Sequence, residues 1–89
     1  MLEKKVVIIN RLGLHARAAA KFVKVANRFK SSVKIEKDGI QIDGKSILGI
    51  LTLAAVQGTQ ITLKIAGTDE KATLKALISL IGNRFEEEE

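Results

Sequence analysis

The chain contains no cysteine, proline, tryptophan or tyrosine. Without cysteine it forms neither disulfides nor thiolate metal sites, and a reducing compartment is its natural setting. The lack of proline removes one source of slow folding steps. Its only aromatic residues are Phe22, Phe29 and Phe85, so the core must be aliphatic. The stacking platforms of single-strand and RNA readers are therefore missing, and direct nucleic-acid binding is not expected. One histidine and no thiol cannot build a typical metal cage, so neither metal nor cofactor is expected. No apolar run reaches membrane-spanning length, and the first five residues lack a signal peptide's apolar core. A cytoplasmic protein with no membrane insertion follows.

What is present suffices for one small domain, residues 1–89, with apolar residues making up 46% of the chain. The net charge of +5, despite the glutamate run 86–89, suggests an acidic partner, and by itself does not choose among protein, nucleic acid and membrane surface.

Residues 5–10 form a continuous run around the β-branched Val6, Val7, Ile8 and Ile9, which predicts a buried strand. From residue 16 to about 28, Ala19, Phe22, Val23 and Ala26 recur at helical spacing, while Arg17, Lys21, Lys24 and Arg28 form a basic stripe on another face. That stripe is either a solvated face or a docking surface for an acidic partner. Val33 and Ile35, then Ile40 and Ile42, alternate with polar residues on either side of Asp38-Gly39, a strong hairpin signal. Ser46 is a good N-cap for a short apolar helix over residues 47–53, part of which must be exposed. Residues 59–66 alternate as a half-buried strand. Thr68 or Asp69 would cap a last helix, which Gly82-Asn83 would end. The tail 86–89 reads as solvated. Strands with one apolar face, mixed with amphipathic helices, imply an α+β layer pair.

The organising stretch is Gly13-Leu14-His15-Ala16-Arg17, where a loop becomes a helix. There the first-turn N–H groups of Ala16, Arg17 and Ala18 would bind an anion such as phosphate. Arg17 adds a fixed cation with fork geometry for phosphate oxygens. His15 supplies an imidazole that is nucleophilic near neutral pH. Its Nδ1, on the helix side, is the nitrogen expected to react. A lone histidine is ordinarily a surface or capping residue; this setting makes it a carrier of a phosphoryl group.

Gly13-Leu14-His15-Ala16-Arg17, a helix, an Asp-Gly hairpin and Lys45-Ser46-Ile47-Leu48-Gly49 together resemble HPr, the histidine-containing phosphocarrier family of the bacterial phosphoenolpyruvate:sugar phosphotransferase system. The resemblance covers essentially the whole chain. It implies an open-faced β-sandwich (βαββαβα), a four-stranded antiparallel sheet covered on one face by three helices. It also implies a monomer that takes a phosphoryl group on His15 from enzyme I and hands it to enzyme IIA domains, with no enzymatic turnover of its own. Arg17 matches the active-site arginine. Ser46 matches the serine modified by HPr kinase/phosphorylase, which would admit a catabolite-control transcription regulator as a further partner. Lys24, Ile47, Leu48 and Leu51 match partner-contact positions. Ala18 departs from the proline usual there, which would pre-set φ at the helix start. The competing reading is a regulatory HPr-like protein, of the nitrogen-related branch or a catabolite-control corepressor, acting through phosphorylation-dependent binding.

Overall fold

Strand β4 (Gln60–Ala66) buries Ile61, Leu63 and Ile65 and turns the residues between them to the other face. It is paired antiparallel on both sides. Val6 of β1 (Leu2–Val7) stands opposite Ile61, and Ile35 of β2 (Ser32–Lys37) stands opposite Leu63. β3 (Ile40–Asp43) joins β2, giving the order β1-β4-β2-β3. The structure, a computed structural model, describes residues 1–87. Three helices, α1 (Ala16–Ala26), α2 (Ile47–Thr52) and α3 (Glu70–Gly82), complete the expected open-faced sandwich. Phe22, Ile50 and Leu77, one from each helix, are fully buried with the inward residues of the sheet. On the open face Lys64 bridges strands, its Nζ 2.5 Å from Glu36 and 3.9 Å from Glu3.

Local signals read from the sequence operate as expected at two turns. Asp38 and Gly39 both adopt positive φ, 51° and 80°, as a two-residue hairpin loop requires. The Ser46 hydroxyl accepts the Gly49 N–H at 3.0 Å and caps α2.

The main departures are in two elements' bounds and one residue's role. β1 begins and ends three residues earlier than the β-branched run suggested, and it is not buried on both faces: Val7 is 46% exposed. Pairing with β4 sets its register, so Leu2 and Val6 alternate inward while Glu3 and Lys5 do not. Ile8 still enters the core, just beyond the strand. α1 stops at Ala26, capped by Asn27, rather than near residue 28. α3 does start after Asp69, but the Asp69 side chain does not cap it. Its carboxylate instead accepts the backbone N–H groups of Lys30 and Ser31, each at 2.9 Å, and the Ser31 hydroxyl. The residue at the helix start thus clamps the α1–β2 connection, a long-range role that local sequence does not show.

Candidate functional site

The segment between β1 and α1 is pinned before it reaches the histidine. Ile8 exchanges hydrogen bonds with the 58–59 turn, donating to Thr59 O at 2.9 Å and accepting from Gly58 N–H at 2.7 Å. Asn10 is fully buried; its Nδ2 donates to Gly13 O at 2.8 Å, and its backbone carbonyl accepts Gly13 N–H at 3.1 Å. Gly13 has φ +67°, and a Cβ there would lie 2.9 Å from the Cα of Val56. Only glycine lets the loop rest this closely on the 55–56 backbone. Leu14 then donates to Ala55 O at 2.8 Å and buries its side chain. The loop is ordered by these contacts with Ala18 in the proline position.

His15 is the N-cap of α1, with extended backbone (φ −77°, ψ 178°). Its carbonyl accepts Ala19 N–H at 2.8 Å, and its Nδ1 accepts Arg17 N–H at 3.2 Å. Ala16 and Arg17 are exposed at this helix end, whereas Ala18 has no accessible surface. The imidazole keeps 28% of its surface exposed.

The other ring nitrogen, Nε2, meets the Glu87 carboxylate. The solvated tail expected from the glutamate run is therefore corrected at Glu87, whereas Glu86 stays exposed; residues 88 and 89 lie outside the described residues. After α3 the chain turns through Arg84, Phe85 and Glu86, all with left-handed φ near 60° (60°, 55° and 63°). Phe85 is fully buried, and Lys21 Nζ donates to its carbonyl at 2.8 Å. Asn83 Oδ1 accepts Glu86 N–H at 3.2 Å. The second Glu87 oxygen accepts Asn10 Nδ2 at 3.1 Å. Burial works to raise the Glu87 carboxyl, but the hydrogen bonds from His15 and Asn10, with the charges of His15 and Lys21, bring it below its ordinary value. A run of like charges reads as solvent-facing; the overriding feature is the aromatic anchor just before it. Phe85 is the one signal in the sequence that the tail folds back. Asn10, Lys21 and Glu87 join the site for reasons of tertiary structure.

Chain comparison decides what this constellation belongs to. A family model described as the PTS HPr component phosphorylation site matches residues 2–83. The chain belongs to the HPr family. It is 49% identical over 89 residues to the phosphocarrier protein HPr of Cupriavidus necator, covering all of both chains. It is also 49% identical to HPr of Pseudomonas aeruginosa, over 96% of each chain. A crystal structure of HPr from Thermoanaerobacter tengcongensis superposes over the full length of both chains with TM-score 0.96 at 44% identity. The catabolite-repression protein Crh of Bacillus subtilis, solved as a swapped dimer, matches at TM-score 0.76 and 43% identity, over 94% of this chain and 97% of its own. The HPr fold sets His15 and α2 on neighbouring helices, α1 packing against both α2 and α3. The remaining positions matched to HPr fall on the surface. Lys24 is exposed on α1; of the rest of the basic stripe, Arg28 is exposed just beyond the helix and Lys21 is taken up by the tail. On α2, Ile47, Leu48 and Leu51 are 41%, 77% and 36% exposed around the half-buried Ser46, and Ile50 alone is fully buried. Among the described residues no cluster of ligating side chains could hold a metal, and no helix is long and apolar enough to cross a membrane.

Proposed function

We propose that this HPr-family phosphocarrier accepts a phosphoryl group on His15 Nδ1 from phospho-enzyme I and passes it to enzyme IIA domains. It does so as a single monomeric domain, residues 1–89, in the cytoplasm. The observation that carries this reading is the Arg17 N–H held on Nδ1 at the start of α1. A donor on Nδ1 means that this nitrogen presents a lone pair.

In the forward step that lone pair forms the bond to phosphorus while the bond from phosphorus to the donor breaks, its electron pair leaving with the donor. The lone pair is then used up, and the Arg17 N–H transfers to a phosphoryl oxygen. The remaining charge is assigned to the first-turn N–H groups of Ala16 and Ala18 and to the Arg17 guanidinium. Positioned donors of this kind stabilise the in-flight phosphoryl group.

Partners dock on the surface around the site. Lys24 answers acidic groups, and Ile47, Leu48 and Leu51 supply apolar contact. Ser46 is proposed as a regulatory phosphorylation site for a kinase/phosphorylase. Phosphate there brings about −1.5 to −2 charges to the rim of that patch and weakens docking by acidic partners. The likeness to Crh supports the second reading, a regulatory protein that binds a catabolite-control transcription regulator through phosphorylated Ser46. The presence of His15 favours the carrier.

The test is intact mass after incubation with enzyme I, phosphoenolpyruvate and magnesium, for the wild type and His15→Ala. One acid-labile, base-stable phosphoryl group on the wild type alone is expected. No transfer from an enzyme I that charges a standard HPr would overturn the carrier reading.

A further inference from the structure

Resting on the reading of His15 as the phosphoryl acceptor, we propose that Glu87 is a positioning residue for it. Its carboxylate holds the imidazole proton on Nε2 and so keeps the lone pair on Nδ1.

A neutral imidazole has one N–H and one lone pair, and which nitrogen carries which is set by the partners of both. Here the two partners agree. A carboxylate can only accept, so it selects Nε2–H; a backbone N–H can only donate, so it selects a bare Nδ1. Either contact alone would bias the ring, and together they leave a single tautomer compatible with the site.

The carboxylate is itself held. Asn10, fully buried, donates to its other oxygen at 3.1 Å. Phe85 anchors the chain in the core two residues before, and Lys21 fixes the Phe85 carbonyl. Glu87 keeps only 11% of its side-chain surface. An incidental contact from a frayed tail would have none of these supports. Glu87 stands on the Nε2 side, so it leaves the Nδ1 side, where phosphorus arrives, open.

The charge balance gives the contact a second use. When Nδ1 bonds to phosphorus, Nε2 keeps its proton, so the ring becomes a cationic N-phosphoimidazolium. Glu87 then faces a positive ring as its counter-ion. When the phosphoryl group leaves, the electron pair returns to Nδ1, and the proton has stayed on Nε2 throughout.

The experiment reads the tautomer directly and needs no partner protein. Long-range proton–nitrogen NMR of the full chain at about pH 8, where imidazole is neutral, is expected to show protonated Nε2 and bare Nδ1. Glu87→Ala is expected to show an averaged pattern, with the Nδ1–H form populated. Glu87→Gln retains an accepting oxygen and is expected to keep the tautomer largely intact. Phosphorylation of all three proteins by phosphoramidate, followed by phosphorus NMR, should slow several-fold in Glu87→Ala and less in Glu87→Gln. The amide spectra of Phe85 and Lys21 check that the tail stays docked; if Glu87→Ala releases it, Glu87→Gln against the wild type carries the comparison through the phosphorylation rate. An identical mixed tautomer in wild type and Glu87→Ala, or equal rates in all three, would overturn the proposal. Failure of enzyme I to charge a wild type with the expected tautomer would instead overturn the carrier reading.

Discussion

Lys21 Nζ, midway along the first helix, donates to the carbonyl of Phe85 at 2.8 Å and lies 3.6 Å from the Glu86 carboxylate. One side chain of the basic stripe thus spans most of the chain's length in sequence and fixes the segment that reaches the histidine.

Removing either end of that tie should separate stability from site geometry. Phe85→Ala deletes a fully buried aromatic and is expected to cost about 3–5 kcal/mol in a urea titration. Lys21→Met keeps the packing of the stem and is expected to cost only about 1 kcal/mol. Both should weaken the Glu87 contact, read as a change in the His15 ring signals. If Phe85→Ala left stability unchanged, its anchoring role would be wrong.

Ser46 has a capping role and a proposed regulatory one, and substitution can separate them. Ser46→Ala loses the bond to Gly49 N–H and should destabilise the protein by about 1 kcal/mol. Ser46→Asp retains a capping oxygen and should keep the melting temperature near that of the wild type, while its charge weakens binding to enzyme I. Calorimetry of the two variants against enzyme I distinguishes these effects. Equal affinity for Ser46→Asp and wild type would count against charge at this position as an off-switch.

Acid sensitivity should trace to Asp69. The Ser31 hydroxyl, helped by the N–H groups of Lys30 and Ser31 and opposed by partial burial, lowers its carboxyl from 3.8 to about 2. A carboxyl that is more acidic when folded stabilises the folded state when ionised. That contribution is complete above the ordinary value and disappears as pH falls from about 4 towards 2. Melting temperature measured across this window should fall, and Asp69→Asn should flatten the dependence. An unchanged slope in Asp69→Asn would assign the acid sensitivity elsewhere.

Most of the fold was legible in residue alternation and turn chemistry. Ile61, Leu63 and Ile65 mark β4 unambiguously, Asp38-Gly39 forms the hairpin, and Ser46 caps α2, because each of these is decided within a few residues. The candidate site was half legible. His15, Arg17 and the helix start can be read from one short stretch, but Asn10, Lys21 and Glu87 meet there only after the sheet and helices have formed. Asp69 illustrates the same limit, since its sequence context says cap while its partners lie on another element. The β1 boundary was displaced because a run of β-branched residues shows strand character without showing register.

An open sheet of order β1-β4-β2-β3 leaves two strands with a free edge, β1 and β3. Unpaired edges invite another chain to add on, and proteins commonly blunt them with proline, charge or brevity. Proline is not available here. β1 carries the exposed Glu3, Lys4 and Lys5, and β3 is only four residues long. Charge on one side and brevity on the other both oppose growth of the sheet by strand-to-strand pairing.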